Sequence, residues 1–143
     1  MRLNVIATTL ATVCLAIAAQ GAAAADFDGS KPLLCAPSSY NECTAAGCQP
    51  VDAASITAPS FLRVDAKRKR IEPVQGGAGR TGKIDHVETI DGKLILQGVE
   101  DGVEDVRDGI GYSLAIAQDT GRMVLSASAD DVAFVAFGAC TPD

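Results

Sequence analysis

The sequence has no tryptophan, a single histidine, two tyrosines and four phenylalanines in 143 residues. It is also short of cations, with 12 Lys and Arg against 18 Asp and Glu. That deficit excludes a sequence-independent nucleic-acid binder, which needs a basic surface to displace counterions. No C-x-x-C occurs, so zinc-ribbon, thioredoxin-like and c-type haem readings lose their spacing. No G-x-S-x-G turn is present to expose a nucleophilic serine. A phosphate loop is approached at Gly77–Lys83 and fails at Ile84, where a hydroxyl residue is required. An EF-hand counted from Asp101 fails at Val103 and Val106, where an oxygen ligand and a glycine belong. No cofactor and no metal are expected, and the chain reads as a non-enzyme.

The one long apolar run lies at the start. Arg2 precedes the apolar stretch Leu3–Ala19, and Ala23-Ala24-Ala25 stands just before Asp26. This is the n-region, h-region and A-x-A arrangement of a secretory signal. Val13 before Cys14 does not suit lipoprotein processing, and no twin-arginine pair is present. The expected organisation is a signal peptide at 1–25 and one β-domain at 26–143, periplasmic or secreted. That domain carries 11 cations and 18 acids, a charge of −7.

Four cysteines remain in it, Cys35, Cys43, Cys48 and Cys140. In an oxidising compartment paired cysteines are the default, and four allow three connectivities. Cys43 and Cys48 flank Thr44-Ala45-Ala46-Gly47, a length that suits a hairpin with the sulfurs facing each other. Cys35 then pairs with Cys140 and ties the first strand to the last.

From Phe61 onward, short runs of β-formers alternate with turn residues. Gly82–Ile90 and Lys93–Val99 flank Asp91-Gly92, a type I′ hairpin signal. Tyr112–Gln118 and Arg122–Ser128 flank Asp119-Thr120-Gly121. Val132–Phe137 is apolar on both faces, as in a central or doubly covered strand. The only helical hint is one turn near Asp52–Thr57. With Leu33–Cys43 and Cys48–Val51, the count is about eight or nine strands. The expected fold is an all-β antiparallel meander closed as an up-and-down barrel, with a two-sheet sandwich as the alternative.

Three side-chain groups are candidates for function. Inward positions of a barrel with a cavity would come from Phe61, Leu94, Leu96, Tyr112, Leu114 and Phe134. Lys67-Arg68-Lys69-Arg70 is a run of four cations at an expected hairpin tip, able to dock anionic headgroups or envelope polyanions. Its ordinary roles are solubility and pairing with the acidic stretch Glu100–Gly109. His86, the one side chain that titrates near neutrality, falls with Ile84, Glu88 and Ile90 on one strand face and reads as structural.

Phe61–Asp65, Asp91–Gly98, Arg107–Ser113 and Phe137–Pro142 resemble segments of a group of small exported proteobacterial proteins. The resemblance implies export and a shared β-fold, and it implies no chemistry or catalytic residue. Two functions follow as expectations. One is a non-enzymatic binding module for a small apolar ligand. The other is an envelope-associated interaction or inhibitor protein acting through loops or the basic tip. A hydrolase ranks third.

Overall fold

The computed structural model of the protein describes residues 26–74 and 79–143. The expected signal peptide at 1–25 and residues 75–78 of the glycine-rich stretch lie outside the described residues. Nine strands run in chain order as β1 (Leu33–Thr44), β2 (Gly47–Val51), β3 (Leu62–Asp65), β4 (Arg70–Pro73), β5 (Gly82–Ile90), β6 (Lys93–Glu100), β7 (Ile110–Ala117), β8 (Arg122–Ser128) and β9 (Ala133–Pro142). The helical hint near 52–57 is a single 3₁₀ turn, Ala53–Ile56.

Local chemistry explains the hairpins. Asp91 and Gly92 both take positive φ, 48° and 70°, as a type I′ turn demands. Cys43 and Cys48 lie directly opposite each other on β1 and β2, bridged, with their Cα atoms 4.0 Å apart.

Each strand pairs antiparallel with the next from β3 to β9. The first strand then does double duty. One edge of β1 pairs with β9 over nearly its whole length, and the other pairs with β3 low down and with β2 above. Eight strands therefore close into a barrel, β2 is an extra strand on its outside edge, and the sandwich alternative is overturned. Cys35 faces Cys140 across the β1–β9 seam and is bonded to it, so the bridge sits where the sheet closes.

Closure gives β9 two partners, which accounts for its apolar character. It is central in its ladder, yet its outer face is not sealed, since Phe137 is 46% exposed. Val132–Phe137 is thus a paired strand and not a doubly covered one.

The hairpins β3–β4, β5–β6 and β7–β8 define the lower end of the barrel, and the remaining connections define the upper end. Inward residues of the lower half are bulky. Leu33, Val64, Ile84, Leu94, Leu96, Leu114, Ile116 and Met123 are almost wholly removed from water. Burial at about 1.5–3 kcal/mol per side chain makes this half the main source of stability. Phe27 packs against the same cluster from below.

Two bulges reset which residues point inward. Between Pro37 and Ser39 the β1 register slips, so Cys35 and then Tyr40 face the interior. Proline lacks the N–H that a regular ladder needs, which suits it to a bulge. Between Ile84 and His86 the β5 register slips as well. Ile84 is fully buried while His86, Glu88 and Ile90 lie outside. The expected shared face of these four residues is therefore corrected.

Candidate functional site

The upper half of the barrel is hollow. A cavity of about 760 Å³ occupies it, open at the mouth. Its aromatic and aliphatic walls are Tyr40 from β1, Leu62 from β3, Ile71 from β4, Ile110 and Tyr112 from β7, Leu125 from β8 and Phe134 from β9. Ile56, Thr57, Ala58 and Pro59, between β2 and β3, fold over it.

The space exists because several of the inward positions at this level are small. Gly82, Ala127, Ala129 and Ala136 stand where the lower half carries leucine, isoleucine and methionine. Buried cores pack without voids when side chains are large enough to interdigitate, and here they are not.

Both tyrosines are anchored. The Tyr40 hydroxyl donates to the Pro59 carbonyl at 2.8 Å and holds the β2–β3 connection to β1. The Tyr112 hydroxyl donates to the Lys83 carbonyl at 2.9 Å across β6. Its ring fits only because of the neighbouring glycines. A Cβ on Gly82 would lie 2.9 Å from the ring and 2.8 Å from Ile71, and one on Gly98 would lie 2.8 Å from the hydroxyl. Burial, helped by the charge of Asp85, pushes the Tyr112 phenol up to about 12. Burial raises Tyr40 as well.

Charged side chains rim one side. Arg80 Nε meets Glu100 at 2.8 Å, and its two terminal nitrogens meet the Asp108 carboxylate at 2.7 Å and the Asp108 carbonyl at 3.2 Å. Glu100, the one buried acid among the described residues, also accepts from the Gly102 amide at 2.9 Å. Asp108 holds Arg80 above the usual guanidinium range, and Arg80 with the Val103 amide holds the Asp108 carboxyl below the usual carboxylate range. Arg107 reaches Asp130 at 2.7 Å and links the β6–β7 loop to the β8–β9 turn.

Of the six lining residues read from the sequence, the structure brings Tyr112 and Phe134 into the cavity. Leu94, Leu96 and Leu114 point inward but lie in the packed lower half, so they do not line it. Phe61 is 49% exposed, and its neighbour Leu62 is the inward residue. A one-residue shift in a strand reverses every side chain, which is the physical reason for the Phe61 correction. Tyr40 was missed because its parity depends on the Pro37 bulge, and a proline inside a strand run is the signal that could have found it. Arg80, Glu100 and Asp108 carry no motif.

The basic run turns between β3 and β4, exposed throughout. Arg68 meets Asp65 at 3.6 Å and Arg70 meets Glu72 at 3.2 Å, both within its own hairpin. Expected pairing with the acidic stretch is thus replaced by local pairing, and Glu100 and Asp108 take Arg80. Lys69 and Arg70 do share a surface cleft of about 290 Å³ with Glu100 and Asp101. His86 contacts Glu88 at 3.1 Å on the outer face. Among the described residues no group of three His, Cys, Asp or Glu converges as a metal-ligand set, and no helix is long and apolar enough to cross a membrane. Compared with protein-family models, curated proteins and solved structures, the chain matches none of them significantly.

Proposed function

We propose that this chain is an exported, non-enzymatic binding protein that holds a small, largely apolar ligand in the upper half of its barrel. The observation that carries the reading is the cavity of about 760 Å³ with predominantly aromatic and aliphatic walls. Ligand pockets commonly enclose about 300–1,000 Å³ and mix an apolar lining with a few placed polar groups. Eight strands give a barrel interior suited to one small ligand. Two disulfides, the signal-like first 25 residues and the resemblance to exported proteobacterial proteins support export.

The test is thermal unfolding of the disulfide-intact protein against a panel of apolar and amphiphilic small molecules. A ligand at 100 times its Kd that binds only the folded state stabilises it by about 2.7 kcal/mol. For a domain of this size that raises Tm by roughly 10 °C. Ala136→Leu, which fills the cavity from β9, abolishes the shift while the protein still folds. A full panel without any shift contradicts the reading.

A second reading rests on the basic turn. Among the described residues Lys67 and Lys69 form no ion pair, so this turn offers exposed positive charge on an acidic protein. It would retain the protein on anionic envelope material. Lys67→Glu with Lys69→Glu then releases it from outer-membrane or peptidoglycan fractions, and unchanged retention rejects the idea.

A further inference from the structure

The connection between β2 and β3 covers part of the cavity yet is lightly attached to the barrel. Within residues 52–60, Ile56, Thr57, Ala58 and Pro59 line the interior, and none of the segment is buried. Most of its hydrogen bonds are its own. Ser55 donates to the Asp52 carbonyl through both its amide and its hydroxyl, Thr57 to Ala54 and Ala58 to Ala53. The 3₁₀ turn and its flanks are therefore a closed local unit. Among the described residues one hydrogen bond ties that unit to the barrel, from the Tyr40 hydroxyl to the Pro59 carbonyl at 2.8 Å.

The β6–β7 loop lines the same cavity through Arg107 and Asp108 and is built the other way. Arg80 grips Glu100 and Asp108, Asp108 accepts from the Val103 amide, and Arg107 reaches Asp130. Ion pairs to two other connections fix that loop, whereas 52–60 has one neutral bond and apolar contact. Its ends are well defined. Val51 lies opposite Tyr40 in the β1–β2 ladder, and the Phe61 carbonyl accepts from the Val74 amide. Between them Thr57 is held at φ 53°, a left-handed conformation unfavourable to a β-branched residue and recurrent in segments that switch.

We propose that residues 52–60 form a lid over the cavity, latched by Tyr40, that opens as a unit to admit and release the ligand. The inference rests on the binding-protein reading and adds how the site is entered.

The experiment follows N-phenyl-1-naphthylamine, an apolar fluorescent probe, by stopped-flow mixing with the disulfide-intact protein. Tyr40→Phe removes the latch and keeps the ring. Association and dissociation rates should then rise together by about two- to twelvefold, the worth of one hydrogen bond, with Kd held within about twofold. A cysteine pair supplies the opposite variant, since a Cβ on Gly79 would lie 3.7 Å from the Pro59 Cβ, within disulfide range. Oxidised Pro59→Cys with Gly79→Cys should slow both rates relative to Pro59→Ala with Gly79→Ala. Each variant decides alone where the other does not fold. A rise in dissociation only, or no change in either rate, overturns the lid and leaves the binding-protein reading intact. A probe that does not bind counts against the binding-protein reading, and methyl relaxation dispersion of the free protein then decides the lid. Ile56 should show microsecond-to-millisecond exchange that grows in Tyr40→Phe, while the packed Ile84 shows none. No exchange at Ile56 in either protein overturns the lid.

Discussion

Tyr112 joins strands on the two sides of β6. Its hydroxyl spans from β7 to the β5 backbone, and its ring fills the room left by Gly82 and Gly98. Gly82→Ala should therefore cost about 1–3 kcal/mol by overpacking, read as a lower denaturation midpoint with an unchanged slope. The phenol supplies a pH test. Its folded value of about 12 lies above the ordinary 10, so its contribution is complete below pH 10 and is lost as pH rises from 10 to 12. Tyr112→Phe should flatten that alkaline loss. On the acid side Arg80 and the Val103 amide lower the Asp108 carboxyl, so this contact is complete above pH 3.8 and fails only as pH falls through the lowered value. NMR titration should find Asp108 below 3.8 in the native protein and nearer 3.8 in Arg80→Gln. The group is exposed, so the accompanying change in stability is small.

At the scale of elements, the seam between β1 and β9 differs from the hairpin β1–β2 although each carries one disulfide. Cys35–Cys140 closes 105 residues and Cys43–Cys48 only 5. Chain entropy assigns about 4.7 kcal/mol to the long loop and about 2 kcal/mol to the short one. Replacing Cys35 and Cys140 with Ala should lower stability by clearly more than replacing Cys43 and Cys48, measured by urea unfolding. The Cys43–Cys48 bridge, the Asp91-Gly92 turn and the meander were legible in the sequence because each depends on local spacing, and Cys35–Cys140 followed as the remaining pair. The inward side of β5 and the upper part of β1 was not, because one inserted residue at each bulge reverses the alternation. Phe61 and Leu62 show the same parity problem without a bulge.

For the whole molecule, period-two patterning says which residues face in but not at what height around a tilted barrel. That is why Leu94, Leu96 and Leu114 read as candidate lining and belong instead to the packed half. The abundance of small residues, 15 Ala and 13 Gly in 26–143, was visible from the start. Its consequence was not, since only closure places Gly82, Ala127, Ala129 and Ala136 at one level. The two halves then respond differently to substitution. Leu114→Ala opens a void in the packed half and should cost about 2–5 kcal/mol. The most direct test of a ligand cavity confined to the upper half is a methyl NMR titration with a bound amphiphile such as decylamine. Methyls of Leu62, Ile71, Ile110 and Leu125 should shift and show contacts to the ligand chain, while those of Leu94, Ile116 and Met123 stay in place. Shifts confined to the outer methyls of Val124 and Ile90, or none at all, would contradict it.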